Sequence, residues 1–346
     1  MNGVRLLRSE ATPAALAGRV MARDLRDGAG RIALGKGTIL DEGSLAAILP
    51  LAWEELHLVD PAPGDVHEHE AGGRLARAAA GAGVAVGSHG GGHWPMEAMH
   101  RGLLGVDHHA LDEVNAIEGL CVYTLFHGQV VDAGELVARA KIVPFVIGGH
   151  ALACGEEIAR RRGGVVSVRP FVRLQVGAVV QESLGARAMS RFRESLGEKV
   201  EWFGSTLLEP VFVAPDAVEV ERGMRRLLAD GAQIIALAGS KPMDPLDAAF
   251  GALERIGATI VRHGVPAHPG SLCWLARAGD VQIVGMPSCG LFSQATVFDL
   301  VLPRLLTGER LDGRALAAMG HGGFLTRDMA FRFPPYRAAR ERGAVE

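Results

Sequence analysis

Cysteine is scarce in this chain of 346 residues. Cys121, Cys154, Cys273 and Cys289 stand far apart, form no C-x-x-C pair and match no zinc-site spacing. The simplest expectation is a reduced, cytoplasmic compartment. Neither charge sign dominates, with 36 basic against 39 acidic residues, so no global field favours nucleic acid or an anionic membrane. Any anion site has to be local. No uninterrupted apolar stretch approaches a membrane span, and the segment Met1 to Arg8 lacks a signal-peptide core, so a soluble protein is expected. Internal repeats, low-complexity tracts and coiled-coil heptads are missing as well.

What is present is enough apolar material, 48% of residues, for more than one packed core, and two or three domains are expected. Residues 1–64 read as a small α+β module, with extended runs at 31–34, 38–40 and 54–59 and a short helix at 43–51. Residues 65–168 read as a second mixed α+β module. Its expected elements are a helix over 65–80, extended runs at 122–126 and 141–147, and a short helix around 135–140. From Val176 onward, strand-like and helix-like runs alternate, which argues for a mostly parallel sheet covered on both faces. That sheet domain is expected over 169–310, with 311–346 as a C-terminal tail. Ligands of such sheets collect beyond the carboxyl ends of the strands.

Two loops carry the most information. Gly239-Ser-Lys-Pro-Met-Asp-Pro-Leu-Asp247 follows the apolar run Gln233 to Ala238 and leads into a helix-like segment. Gly285-Met-Pro-Ser-Cys-Gly290 follows Val281 to Val284 and leads into another. Helix starts present unpaired N–H groups, so both loops predict an anion or nucleotide-like ligand. For Asp244-Pro-Leu-Asp247 two readings stand side by side. In one, Asp244 is an N-cap and Pro245 the first helical residue, which is helix capping and nothing more. In the other, Asp247, or less readily Asp244, holds a magnesium ion beside a phosphate, with Lys241 adding positive charge. Cys289 near a helix start is a candidate for a lowered pKa, but no histidine adjoins it, which favours a spectator thiol. The histidines between His67 and His109 match no H-E-x-x-H spacing, so surface or turn positions suit them better than a metal. Gly87 to Gly92 lacks both a preceding strand and the G-x-G-x-x-G order, which argues against a dinucleotide site.

At these residues the chain resembles the molybdopterin-binding domain family, in particular bacterial members related to molybdopterin molybdotransferase and the gephyrin C-terminal region. Residues 239–247 resemble the family's G-G-x-S-x-G-x-x-D loop, with Gly239 and Asp247 at its ends. Pro269-Gly270 resembles the start of P-G-K-P, and Pro287 the start of P-G-N-P. The resemblance covers about residues 170–310. Departures accompany it: Ser240 and Ser288 replace glycines, Ser271-Leu272 replaces Lys-Pro, and Gln181-Glu182-Ser183 stands where the family has T-G-x-E. Ser190 stands where an acidic residue is common. Loss of the lysine removes a cationic partner for phosphate, and loss of the acid removes a metal ligand.

The resemblance implies a three-layer α/β molybdopterin-binding domain that binds molybdopterin or the molybdenum cofactor. Its implied binding residues are Gly239, Ser240, Lys241, Asp244, Pro269, Gly270, Ser271, Gly285, Pro287, Ser288 and Cys289. Asp247 is the implied catalytic residue and Mg²⁺ ligand, and a homodimer is implied. An enzyme of this kind would insert molybdate into the pterin dithiolene by metal-assisted phosphoanhydride cleavage. The altered loops favour a rival, a non-catalytic carrier that delivers the cofactor to a molybdenum hydroxylase. A degenerate interaction domain without pterin binding is the third reading.

Overall fold

The computed structural model describes residues 2–286, 296–334 and 336. The chain divides into two compact units. One comprises Met1–His100, Leu104–His127 and Val131–Val168, and the other comprises Arg101–Leu103, Gly128–Val130 and Arg169–Glu346.

In the first unit, Asn2–Leu7, Glu55–Asp60 and Val20–Met21 form an antiparallel sheet over a core that includes Leu16, Leu40, Ile48 and Leu58. A separate core gathers Leu75, Met96, Leu104, Val122, Ala140 and Leu152. Three expectations are corrected here. Val84–Val86 is a strand, so the glycine stretch from Gly87 to Gly92 does follow one, against expectation. The helix expected over 65–80 is a strand, Asp65–His67, followed by a helix, Glu68–Ala79, whose N-cap His67 accepts the His69 N–H through Nδ1. The helix expected around 135–140 is instead the strand Leu136–Ile142, paired antiparallel with both Leu120–Thr124 and Trp94–Ala98. Pairing on both edges overrides the helix preference of a short alanine-containing segment.

The second unit is built on a seven-stranded sheet. Its strands are β1 (Gln175–Val180), β2 (Thr206–Leu207), β3 (Val211–Phe212), β4 (Ile234–Ala238), β5 (Thr259–His263), β6 (Trp274–Ala278) and β7 (Val281–Met286). The order is β2-β1-β4-β7-β6-β5, with β3 pairing β1. Pairs among β1, β2, β3, β4 and β7 are parallel, while β6 runs antiparallel to both β7 and β5. The mostly parallel sheet expected from the sequence is therefore mixed. Its antiparallel part comes from the hairpin Trp274 to Met286, whose turn holds Gly279 at φ 58, a left-handed conformation that glycine adopts without strain.

Helices cover both faces because the strands are apolar on both. Ile234, Ala236 and Ala238 of β4 face α1 (Ala186–Trp202) and α4 (Val297–Leu305), where Phe192, Leu196, Phe298 and Leu302 are buried. Ile235 and Leu237 face α2 (Ala217–Ala229) and α3 (Ala248–Arg255), against Met224, Leu227 and Leu253. Each such large side chain contributes about 1.5–3 kcal/mol by leaving water. Helix α2 shows the local rules plainly. Asp216 caps it by accepting from the Val218 and Glu219 N–H groups, and Val220, Met224 and Leu227 recur at helical spacing on its buried side. No helix among the described residues is long and apolar enough to cross a membrane.

Candidate functional site

The carboxyl ends of β1, β4 and β7 lie side by side, since Val180 pairs with Ala238 and Ala238 with Met286. The loop after β4 turns at Gly239, φ 82, where a Cβ would come within 3.2 Å of the Gln181 carbonyl oxygen. Only glycine fits both conditions. Ser240 is buried, and its Oγ accepts the Trp274 indole N–H at 3.3 Å. Asp244 forms a turn, its N–H donating to the Lys241 carbonyl and its Oδ1 accepting from the Leu246 N–H.

The N-cap of α3 is Asp247, which corrects the expectation that Asp244 caps a helix beginning at Pro245. Asp247 is 8% exposed and accepts three donors. The Ala249 N–H reaches Oδ1 at 3.0 Å and the Lys241 N–H reaches Oδ2 at 2.8 Å. The Gln181 Nε2 stands 2.9 and 3.1 Å from the two oxygens. One carboxylate thus caps the helix, closes the 239–247 loop and ties that loop to the end of β1. Gln181 is itself 3% exposed, and its Oε1 has no hydrogen-bond partner. The amide orientation follows from Asp247, which needs donors and repels an oxygen. Lys241 and Asp244 are exposed on the loop, beside Met243 and Leu246, two apolar side chains at its surface.

The 269–271 loop reaches the same end of the sheet. The Pro269 carbonyl accepts the Val297 N–H at 3.0 Å, at the start of α4, and the Gly270 carbonyl accepts the Cys273 N–H at 2.9 Å. Gly270 has φ 109, and a Cβ there would approach the Val297 nitrogen to 3.1 Å. The Ser271 side chain is exposed, while its carbonyl accepts the Val265 N–H. Gly285 of β7 lies under Trp274, its cross-strand partner, and a Cβ would fall 2.0 Å from the indole. Trp274 therefore touches both the 239–247 loop, at Ser240, and the beginning of the third loop, at Gly285. Pro287, Ser288 and Cys289 lie outside the described residues. At the far side of that loop, Asp299 closes a capping box with Thr296 and pairs with the Lys199 ammonium at 2.7 Å, both charges buried. Lys199 also faces the rings of Phe298 and Tyr336, 5.8 and 5.7 Å from their centroids.

Sequence reasoning missed Gln181 as a partner of Asp247, Trp274 as the side chain joining two loops, and Lys199 as the counter-ion of α4. Not weighed as a site was the start of α1, where N-cap Gly185 offers no side chain to the first N–H groups. A cleft of about 960 Å³ opens there, lined by Gly185, Arg187, Ser190, Arg191 and Glu194 among others. The signal available was Arg187 and Arg191 at i, i+4 after a glycine that follows a buried strand. Ser190 donates to Glu194 at 3.2 Å. Among the described residues no three His, Cys, Asp or Glu side chains are grouped to hold a metal ion.

No protein-family model and no curated protein matches the sequence. Among solved structures, the chain is similar to the MoeA molybdopterin biosynthesis protein of Pyrococcus horikosii. The identity is 11%, over 92% of this chain and 77% of that one, with a TM-score of 0.29. It is also similar to the protein CinA of Thermoplasma acidophilum, whose function is unknown. There the identity is 11%, over 34% of this chain and 89% of that one, with a TM-score of 0.26. At these TM-scores neither likeness bears on function.

Proposed function

We propose that the second unit binds a phosphate-bearing pterin, molybdopterin or its molybdenum-loaded form, beyond the carboxyl ends of β1, β4 and β7. The observation that carries this reading is the meeting of two loops and the flanks of a third at one end of the sheet. Trp274 joins the 239–247 loop to Gly285, and Pro269 bonds to the start of α4. A ligand there meets the partly exposed backbone at Gly239 and the exposed Lys241 ammonium, while Gly270 and Gly285 are buried and let Val297 and Trp274 pack close and shape the floor. Ser271 and Asp244 line the approach from the loops. The Ala249 and Val297 N–H groups are already taken by Asp247 and Pro269, so a phosphate here relies on the remaining loop amides and on the modest attraction of one exposed lysine.

Between insertion of molybdate and carriage of a finished cofactor, the geometry favours carriage. Asp247 serves as a loop clamp, with both oxygens already occupied by N–H donors. It is poorly placed to orient a metal for phosphoanhydride cleavage. The experiment is to oxidise purified protein and look for a fluorescent pterin, then to supply molybdate and follow insertion. Pterin with no turnover supports the carrier reading. Turnover lost in Asp247→Ala refutes it, and absence of pterin after expression in a host that makes the cofactor refutes the ligand class.

A further inference from the structure

We infer that the Asp247 corner takes no divalent cation and that the side-chain amide of Gln181 occupies the place a metal would fill. The inference concerns the site proposed above, but its test reads the metal alone, so a failure of pterin binding leaves it standing.

A metal bridging a carboxylate sits within reach of both oxygens, which is where Gln181 Nε2 lies, 2.9 and 3.1 Å from Oδ1 and Oδ2. A carboxylate offers about four lone-pair sites. Here Gln181, Lys241 and Ala249 make four contacts with them. Magnesium demands oxygen ligands in near-octahedral array at about 2.0–2.1 Å. Admitting it would expel the amide from both oxygens, since the Ala249 and Lys241 N–H groups hold the remaining sites. The neighbouring acids do not supply an alternative set. Asp244 Oδ1 is engaged by the Leu246 N–H, and no acid–histidine–cysteine group of metal-binding size occurs among the described residues. Residues 287–295 contain no Asp, Glu or His in the sequence. Gln181 thus replaces a cation by a neutral donor, which preserves the loop's shape while leaving the carboxylate charge uncompensated. A phosphate ligand at this end of the sheet must then be held by backbone N–H groups and Lys241, away from Asp247.

The test uses the full chain, labelled with nitrogen-15, and paramagnetic Mn²⁺ as the probe, alone and with inorganic phosphate. Wild type is expected to keep the amide signals of Lys241 and Ala249 unbroadened at millimolar Mn²⁺ in both conditions. Broadening of both signals in either condition overturns the inference. Broadening confined to other residues places the ion elsewhere and upholds it. In Gln181→Ala the corner is vacated, and selective broadening at Lys241 and Ala249 is expected to appear. A folded Gln181→Ala that stays unbroadened overturns the claim that the amide is what excludes the ion.

Discussion

Replacing Lys199 by methionine should destabilise the second unit far more than loss of a surface lysine would. The Lys199 side chain is 5% exposed, the Asp299 side chain 0%, and their charged atoms are 2.7 Å apart. Methionine fills most of the volume of the lysine stem, so the loss is chiefly electrostatic: a carboxylate stays buried without its counter-ion. Breaking such a pair from one side costs about 3–5 kcal/mol. The Thr296 N–H and hydroxyl still donate to the other Asp299 oxygen, at 2.9 and 3.0 Å, which places the expected cost toward the lower end of that range. Lys199→Met/Asp299→Asn removes both charges and keeps an acceptor for Thr296. It should therefore lie within about 1–2 kcal/mol of wild type. Urea denaturation followed by tryptophan fluorescence measures this, in a Trp53→Phe/Trp94→Phe background so that the signal comes from Trp202 and Trp274. A single variant costing under about 1 kcal/mol, or a double variant no better than the single, would refute the reasoning.

Other outcomes follow from the same geometry. Gly285→Ala drives a methyl group into the Trp274 indole, so it should destabilise by at least about 1–3 kcal/mol, with Trp274→Leu restoring part of the loss in the same denaturation assay. Burial pushes the Cys273 thiol up from 9.0 to about 12. The folded state holds this proton after the unfolded chain has released it, so the contribution is full below 9.0 and is lost as pH rises from there toward 12. Stability measured between about pH 8 and 10 should fall more gently in Cys273→Ala than in wild type, and parallel slopes would contradict the assignment. Lys241→Ala should leave stability unchanged, because the side chain is exposed, while lowering pterin-phosphate affinity by up to about tenfold and flattening its salt dependence. Titration at two ionic strengths checks both parts.

The parallel part of the sheet was legible because β4 and β1 are apolar runs bounded by turns, and the helices between them carry caps and periodic apolar positions. The hairpin β6–β7 was not. Its first strand, Trp274–Ala278, is buried through cross-strand contacts with β7 and β5 that one sequence does not display. The strand at 136–142 was hidden for the same reason. At the site, glycine positions such as Gly239 and Gly285 stood out because loops after buried strands need them. The role of Asp247 did not stand out, since three donors from 181, 241 and 249 meet it only after folding. Gln181 sits 66 residues away in sequence, and no local pattern announces that pairing.

Amide hydrogen exchange with and without added molybdopterin addresses the central claim most directly. Slowed exchange at residues 239–247, 270–273 and 296–299 together is the predicted result. Pterin binding that leaves all three segments unprotected, or that protects only segments of the first unit, would contradict the account.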